Sequence, residues 1–293
     1  MNLKMIIQTQ KIMNSWCSLN KRFGCVVVIL SLCSFLCAQS TGRVGGMPEN
    51  GEYQTIASLG GGYTAMFDSY LSENRYSGFN ITCTYDNLYH RENAKLFDYF
   101  EDEFLINVSR LTDQAKYSYS YALSFDAILK WDYKFFENSK FTFYTGPGLA
   151  TRLGVAYNPY NSNNPAQVKF FTMFAPHIAG VWRFKVADYP MALSVKSTIP
   201  LAGITFAPDY GQLYYEMYEY DGYANSIRFA WPLLMPTIYN RISLDFPICN
   251  VLMRFSYNHN YSFYHYSDNT SALNNHSLTI GVVRTLKEIR YGK

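Results

Sequence analysis

Apolar and polar residues alternate along most of the chain after residue 50, which is the pattern of a β-strand with two unlike faces. The longest run spans Tyr119 to Tyr133: odd positions are almost all aromatic or aliphatic and even positions are small or polar, with Ile128 as the exception. At about 3.3 Å per residue this run makes roughly 50 Å of strand. Globular strands average about five or six residues, whereas a membrane-crossing strand needs about nine to eleven. The run therefore predicts membrane-spanning strands, and a soluble β-sandwich with a tyrosine-rich surface is the alternative.

The same alternation recurs along the chain, and the links between the runs differ in length. The other predicted strands are 53–67, 76–89, 102–112, 141–155, 168–186, 189–201, 241–246, 251–258 and 278–282. From residue 135 onward short links (136–139, 186–188, 247–250) alternate with long ones (158–167, 207–237, 267–275). Outer-membrane barrels have short periplasmic turns and long outer loops. The sequence thus predicts an all-β fold, an antiparallel transmembrane β-barrel over 53–293. It has about ten strands and periplasmic termini, or twelve strands if 207–237 holds another hairpin.

The start of the chain has the features of an export signal. Lys21-Arg22 precede a continuous apolar run, Phe23 to Ala38. A basic segment, an apolar core and small residues at its end predict a cleaved signal peptide over 1–38. A membrane anchor is the alternative, but the run is shorter than the ~20 residues that a spanning helix needs. We predict a periplasmic N-terminal segment over 39–52 and location in a bacterial outer membrane.

Composition agrees with a membrane protein and argues against a nucleic-acid partner. Aromatic residues make up 18% of the chain, with 27 Tyr and 21 Phe, and Tyr is suited to membrane–water boundaries. Without the leader the chain holds 21 basic and 22 acidic residues, so it has no basic excess for phosphates. A predicted aromatic girdle lies near the periplasmic strand ends: Trp131, Tyr133, Trp182, Phe184 and Tyr189.

Three features together resemble a known group of proteins. These are the leader ending in Cys37-Ala-Gln, the tyrosine-rich two-faced strands, and the closing segments 240–247 and 276–282. They resemble uncharacterised outer-membrane β-barrel proteins of Bacteroides-type bacteria. The resemblance implies the fold and the location and specifies no functional residue. Unlike many outer-membrane proteins, the chain does not end on an aromatic residue but on Lys293.

Charged residues of both signs fall on the polar face of the predicted strands. The predicted lumen-facing candidates are Asp126, Lys130, Asp132, Arg152, His177, Arg183, Lys196, Arg241, Asp245 and Arg254. They could line a narrow aqueous path and set its selectivity. They could also pair with one another and close the lumen, since buried charges are tolerated only when paired. Because the interior of a ten-stranded barrel is small, we expect a closed lumen.

The residues that could carry chemistry are few. His259, Ser262, His265 and Asp268 cluster near one strand end and could serve an outer-membrane hydrolase, although a polar strand end is the expected interpretation. The acidic run 101–103 is expected to be a solvated turn. No spacing predicts a metal site or a cofactor, and no catalytic residue is predicted.

Two smaller features complete the expectations from side chains. Cys83 and Cys249 are expected to be separate apolar residues. Gly60 to Gly62 lie within a strand, where small residues allow close backbone packing.

Our main functional hypothesis is a structural or binding barrel that acts through its outer loops, in contact with outer-membrane lipid and with an extracellular or periplasmic partner. The alternatives are a narrow channel for small solutes and the hydrolase. Exposed aromatic residues can hold sugars, lipids or proteins. The outer-loop binding candidates are Tyr214, Tyr215, Tyr218, Tyr220, Tyr223 and Trp231.

Overall fold

The computed structural model describes residues 44–49, 52–90, 96–162, 164–209, 211–219, 226–248, 251–266 and 268–287. The predicted signal peptide lies outside these ranges, as do Tyr220, Tyr223 and Cys249. Within them no helix is both long and apolar enough to cross a membrane.

Fourteen β-segments and one short helix make up the described chain. The segments before the first long loop are β1 Glu52–Asp68, β2 Ser72–His90, β3 Tyr99–Asp113, β4 Tyr119–Glu137, β5 Phe141–Gly146 and β6 Gly148–Tyr157. The others are β7 Ala166–Phe174, β8 His177–Val186, β9 Tyr189–Thr198, β10 Ala202–Phe206, β11 Ile227–Ala230, β12 Thr237–Ile248, β13 Val251–Tyr266 and β14 Asn269–Lys287. The helix, α1, is Tyr214–Glu219.

Ten of these segments close into a ring of antiparallel neighbours. The ring runs β4-β3-β2-β1-β14-β13-β12-β9-β8-β5 and returns to β4. The first and last strands form the seam, since β1 pairs with β14 from Glu52↔Lys287 to Asp68↔Ser271. The fold is therefore the predicted antiparallel β-barrel with ten strands in its ring. The 207–237 region holds α1 and the short strand β11, with no further hairpin among its described residues.

Proline residues split four consecutive strands into two segments each. Pro147 separates β5 from β6, Pro176 separates β7 from β8, and Pro200 separates β9 from β10. Pro232 and Pro236 lie in the irregular stretch between β11 and β12. A proline cannot donate to the sheet ladder, but the Pro147 and Pro176 carbonyls still accept bonds from Trp131 N–H and Ile199 N–H at 3.0 Å. The ladder therefore loses a donor at these points, while the Pro147 and Pro176 carbonyls stay paired.

The two faces of each strand differ as the alternation predicted. On β4 the even positions Ser120, Ser124 and Asp126 are buried, whereas Leu123 and Phe125 on the odd positions are exposed. The core of the protein is thus the lumen, and the apolar side chains cover the outside. We use "terminal end" for the end of the barrel that holds Glu52 and Lys287, and "loop end" for the end that holds α1.

The prediction of a solvated turn at 101–103 is wrong. These residues lie within β3, in register with β4 from Glu101↔Lys130 to Glu103↔Ile128. Glu101 and Glu103 face inward and are buried. An acidic run inside a strand is acceptable here because cationic side chains meet it across the lumen.

Candidate functional site

A network of buried ion pairs crosses the middle of the lumen. Glu101 contacts the amines of both Lys130 and Lys196, the former at 3.5 Å from its Oε1. The Lys130 amine also lies 2.5 Å from Glu103 Oε2, and Glu103 in turn contacts the Arg241 guanidinium. Because these residues come from β3, β4, β9 and β12, the network joins opposite sides of the barrel.

Arg241 links this network to the wall. Its Nη1 donates to Asp86 Oδ2 at 2.6 Å, and its Nε donates to Asn258 Oδ1 at 2.7 Å. Asn258 is on β13, the neighbour of β12, and Asp86 is on β2, which does not adjoin β12 in the ring. One guanidinium therefore joins three strands. We call the six residues Asp86, Glu101, Glu103, Lys130, Lys196 and Arg241 the central network.

Further pairs extend the arrangement along the barrel axis. Arg254 holds both carboxylate oxygens of Asp245, at 2.6 and 2.8 Å. Such a two-point pair fixes geometry as well as charge. Asp132 contacts His177 in the same half of the lumen.

Two pairs lie nearer the loop end. Arg152 Nε donates to Asp126 Oδ1 at 2.6 Å. The Lys169 amine donates to Asp68, and also to Ser271 Oγ at 2.7 Å. A buried charge is tolerated when it is paired and hydrogen-bonded, and these contacts meet that condition.

The space left inside the barrel is small. Three cavities that described residues line inside the lumen measure about 40, 10 and 20 Å³. A single water needs roughly 10–15 Å³ by the same measure. The lumen therefore has room for a few water molecules in separate places.

The terminal end of the lumen is filled by the segment 44–49. Val44 and Met47 pack against Tyr144 and its aliphatic neighbours. Arg183 Nε donates to the Gly45 carbonyl at 2.9 Å. Gly45 has φ +58°, a conformation that glycine adopts without strain, and this turns the segment into the barrel mouth. The part of the predicted periplasmic segment that the structure describes thus lies within the barrel end, and Arg183 faces it.

The loop end is covered by an apolar cap. Tyr70 and Leu71, from the β1–β2 connection, pack with Tyr76 and Leu111, and Tyr214 of α1 joins them. The Tyr70 hydroxyl donates to the Gln212 carbonyl at 2.6 Å. Burial raises the pKa of Tyr70, with neighbouring Tyr214 adding to the effect, so this hydroxyl stays a protonated donor at physiological pH.

The sequence predicts ten of the fifteen charged residues that the structure places in the lumen, including both members of the pairs Asp126–Arg152, Asp132–His177 and Asp245–Arg254. All ten predicted lumen candidates face the interior, and Arg183 and Lys196 are the less buried of them. Five further charged residues share the interior with them: Asp68, Asp86, Glu101, Glu103 and Lys169. Their positions on the polar phase of β1, β2, β3 and β7 could have revealed them.

The predicted girdle residues all point outward, at the terminal end. Trp182 packs with Phe184 at 4.8 Å between ring centroids, and Tyr133 and Tyr189 are exposed. Trp131 contacts Phe100 at 5.6 Å. Phe100 begins a row that sequence analysis missed, continuing across the wall with Tyr89 and Tyr53. These rings are brought together by the pairing register of neighbouring strands, and the sequence alone does not reveal that register.

The loop candidates that the structure describes divide into an exposed group and a half-buried residue. Tyr215 and Tyr218 are each 70% exposed on α1, and Trp231 is exposed at the end of β11. Tyr214 is half-buried and serves the cap. Tyr220 and Tyr223 lie outside the described residues.

The hydrolase cluster does not come together. Ser262 faces the lumen, where its hydroxyl accepts a bond from Arg152 Nη1 at 2.7 Å. His259 points outward and stacks on His276, with ring centroids 4.7 Å apart. His265 is also outward and bonds Thr270. Strand alternation separates residues an odd number of positions apart, so this serine and these histidines lie on opposite sides of the wall.

One expectation about a single residue can be compared with the structure. Cys83 is a free cysteine on the outer face, where the alternation puts it. Among the described residues no group of His, Cys, Asp and Glu side chains has the arrangement of a metal site.

Comparison with known proteins gives fold-level similarities to outer-membrane proteins. Similar solved structures include the outer membrane protease OmpT from Escherichia coli, at 10% identity over 80% of this chain and 96% of that one, with a TM-score of 0.42. Others are the transport unit of the autotransporter AIDA-I from Escherichia coli (7% identity, 88% and 97% covered, TM-score 0.37) and an outer membrane channel from Pseudomonas putida F1 (10%, 85% and 98%, 0.35). No curated protein matches the sequence. A family model described as a protein of unknown function (DUF3316) matches residues 26–293, and the chain therefore belongs to the DUF3316 family.

Proposed function

We propose that this protein is an outer-membrane β-barrel with a closed lumen, which acts as a binding scaffold through its outer loops. The outward apolar face of the ten-stranded ring supports the membrane location, because only a closed barrel satisfies all strand hydrogen bonds in lipid. The resemblance to proteins of Bacteroides-type bacteria stays a prediction. Cleavage of the leader after export is part of the same proposal.

The central network is the observation that carries the closed lumen. A conducting path needs water or weak ion sites along its whole length. In this lumen, six charged side chains from five strands form one connected set of ion pairs across the interior. The segment 44–49 and the apolar cap add a barrier at each end. A channel or transporter for small solutes would require all three barriers to move.

Conductance tests the closed lumen. We expect the purified full-length protein, refolded in lipid, to migrate faster on unheated gels, as a folded barrel does, and to give no current steps in a planar bilayer. The gel shift shows that the protein in the bilayer is folded. Regular current steps from such a preparation would contradict the closed lumen and favour the channel.

The exposed tyrosines of α1 provide the binding surface in this proposal. Tyr215 and Tyr218 are three residues apart and lie on one side of the helix, and each is 70% exposed. We expect Tyr215→Ser with Tyr218→Ser to reduce retention of purified cell-surface polysaccharide at least about tenfold, because a stacked aromatic residue contributes most of such a contact.

Tyr117→Ser is the matched control, since Tyr117 is 87% exposed on another loop of the same end. Equal retention by the wild type and both variants would remove α1 as the binding surface. A soluble protein in cell fractionation would contradict the membrane location itself.

A further inference from the structure

A carboxylate on β3 faces the outer wall of the barrel. Asp102 lies between Glu101 and Glu103, whose side chains enter the lumen, and because strand side chains alternate it points the other way. Ile106, which shares its phase on the strand, is exposed, but Asp102 itself is only 8% exposed. A carboxylate buried on a lipid-facing wall is costly unless a partner neutralises it.

A short chain of neutral side chains holds this carboxylate in place. Asn87 Nδ2 donates to Asp102 Oδ2 at 2.7 Å, and Thr55 Oγ1 donates to Asn87 Oδ1 at 3.0 Å. The three residues are direct neighbours across β1, β2 and β3. Both ends of the Asn87 amide are engaged in this way, so Asn87 fixes the position of the carboxylate and leaves its charge unchanged.

No cation of the described chain neutralises Asp102. The lumen carboxylates Asp86, Glu101 and Glu103 each contact a lysine or an arginine. In contrast, no Lys, Arg or His side chain among the described residues forms an ion pair with Asp102. Its neighbour on β4 is the apolar Leu129. A counter-charge for the ionised carboxylate therefore has to come from outside the described chain.

Aromatic side chains surround the carboxylate on the outer face. Phe100 and Phe104 lie two positions away on β3, and Tyr89 and Tyr85 lie opposite them on β2. Such diagonal neighbours are about 7–8 Å apart, within reach of aromatic side chains. Because the faces of aromatic rings attract a positively charged nitrogen, a carboxylate with four rings around it suits an ammonium group. We call Asp102 and these four aromatic residues the outer acidic site.

The outer acidic site lies beside the aromatic row of the terminal end. Phe100 belongs to that row with Tyr89 and Tyr53, and the ring centroids are 6.3 and 5.7 Å apart. Asp102 is two residues farther from the terminal end, which is about 7 Å along the strand. Aromatic girdles mark the level of the lipid head groups. The carboxylate is therefore just inside that level, where a head group can reach it.

We propose that the outer acidic site binds a phospholipid with a primary ammonium head group, such as phosphatidylethanolamine, in the leaflet at the terminal end. The Asp102 carboxylate accepts hydrogen bonds from the ammonium group, and the rings surround its charge. The quaternary ammonium of phosphatidylcholine has no N–H to donate, and the carboxylate repels the anionic phosphatidylglycerol. The proposal rests on the membrane location proposed above and depends neither on the closed lumen nor on the outer loops.

Lipid binding by the full-length protein tests this proposal. The purified barrel is titrated with phosphatidylethanolamine, phosphatidylcholine or phosphatidylglycerol of identical acyl chains, and native mass spectrometry counts the bound lipids. We expect the Kd for phosphatidylethanolamine to be at least about tenfold lower than for the other two lipids, because only its head group forms a hydrogen bond between two charged groups.

Matched variants locate the ammonium group. Asp102→Asn keeps the size of the side chain and the hydrogen bond from Asn87, and we expect it to abolish the tenfold preference. Glu73→Gln is the control, because Glu73 is an exposed carboxylate at the loop end of β2, and it should leave the preference unchanged. Tyr85→Leu keeps the charge and removes one ring, and should weaken phosphatidylethanolamine binding about three- to fivefold even if Asp102→Asn does not fold.

Equal binding of the three lipids by the wild type, or an unchanged preference in Asp102→Asn, would overturn the proposal. Loss of a co-purifying protein from Asp102→Asn with no change in lipid binding would overturn it as well, and would assign the carboxylate to a protein partner. Failure of the proposed function is observed separately. Heat-dependent gel migration and recovery in the membrane fraction report the barrel and its location, and conductance reports the lumen.

Discussion

Replacing Arg241 with leucine is expected to lower the free energy of unfolding by about 3–5 kcal/mol. The guanidinium contacts both Asp86 and Glu103, and all three side chains are buried. Its removal leaves two carboxylates in the lumen, where they repel one another and have lost their main partner. Urea unfolding of the protein in lipid vesicles, followed by tryptophan fluorescence, measures the change.

Two control variants test whether the loss of stability comes from the buried, unpaired carboxylates. Lys134→Leu breaks the Lys134–Glu137 pair, whose side chains are 30% and 44% exposed, and should change stability by less than about 0.5 kcal/mol. Arg241→Leu combined with Asp86→Leu and Glu103→Leu removes the uncompensated charges and should recover part of the loss. If Arg241→Leu changes the free energy of unfolding no more than Lys134→Leu does, the central network contributes nothing to stability and water must reach it.

Substituting alanine for Gly62 is expected to prevent closure of the barrel. A Cβ at this position would lie 1.9 Å from the His276 carbonyl oxygen, and one at Gly60 would lie 1.8 Å from that of Leu278. Both oxygens belong to the backbone of β14, which cannot move without breaking the seam with β1. We expect each substitution to reduce the folded fraction severely on unheated gels, beyond the ordinary cost of overpacking, about 1–3 kcal/mol.

Gly61→Ala is the control from the same strand. Its Cβ would meet chiefly the Phe79 ring, at 2.8 Å, and a side chain on the outer face can turn aside. We expect this variant to keep most of the folded band. Equal folding of Gly62→Ala and Gly61→Ala would show that close approach of β1 to β14 is not needed for closure.

The sequence predicts the wall of this barrel well because apolar and polar residues alternate along its strands. In β4, one phase from Tyr119 to Tyr133 fixes which side chains meet solvent or lipid and which meet the lumen, whatever the strand pairs with. Gly60 to Gly62 were predicted to pack closely, and the short Cβ distances agree. The weaker alternation of the first three strands still gave their positions to within a few residues.

The contacts across the lumen could not be predicted in the same way. Glu101 and Lys196 are 95 residues apart, and their meeting depends on the ring order and on strand stagger. Local composition also misled: an acidic run such as 101–103 is normally a solvated turn, and only its partners across the barrel reveal otherwise. The pairing of Arg183 with Gly45 depends on where a non-strand segment folds, for which the sequence has no period.

The proline residues that split four neighbouring strands also divide the barrel along its axis. On the terminal side of Pro176 and Pro200, ladders between strands continue around the whole ring. On the loop side, β10 pairs with β7 over five residues and with β11 over four, and beyond them the Val168 N–H donates to the Tyr214 hydroxyl. Changes in length or sequence beyond the prolines therefore need not disturb the inner ring. The protein can be regarded as a closed inner ring that carries a separately paired outer tier.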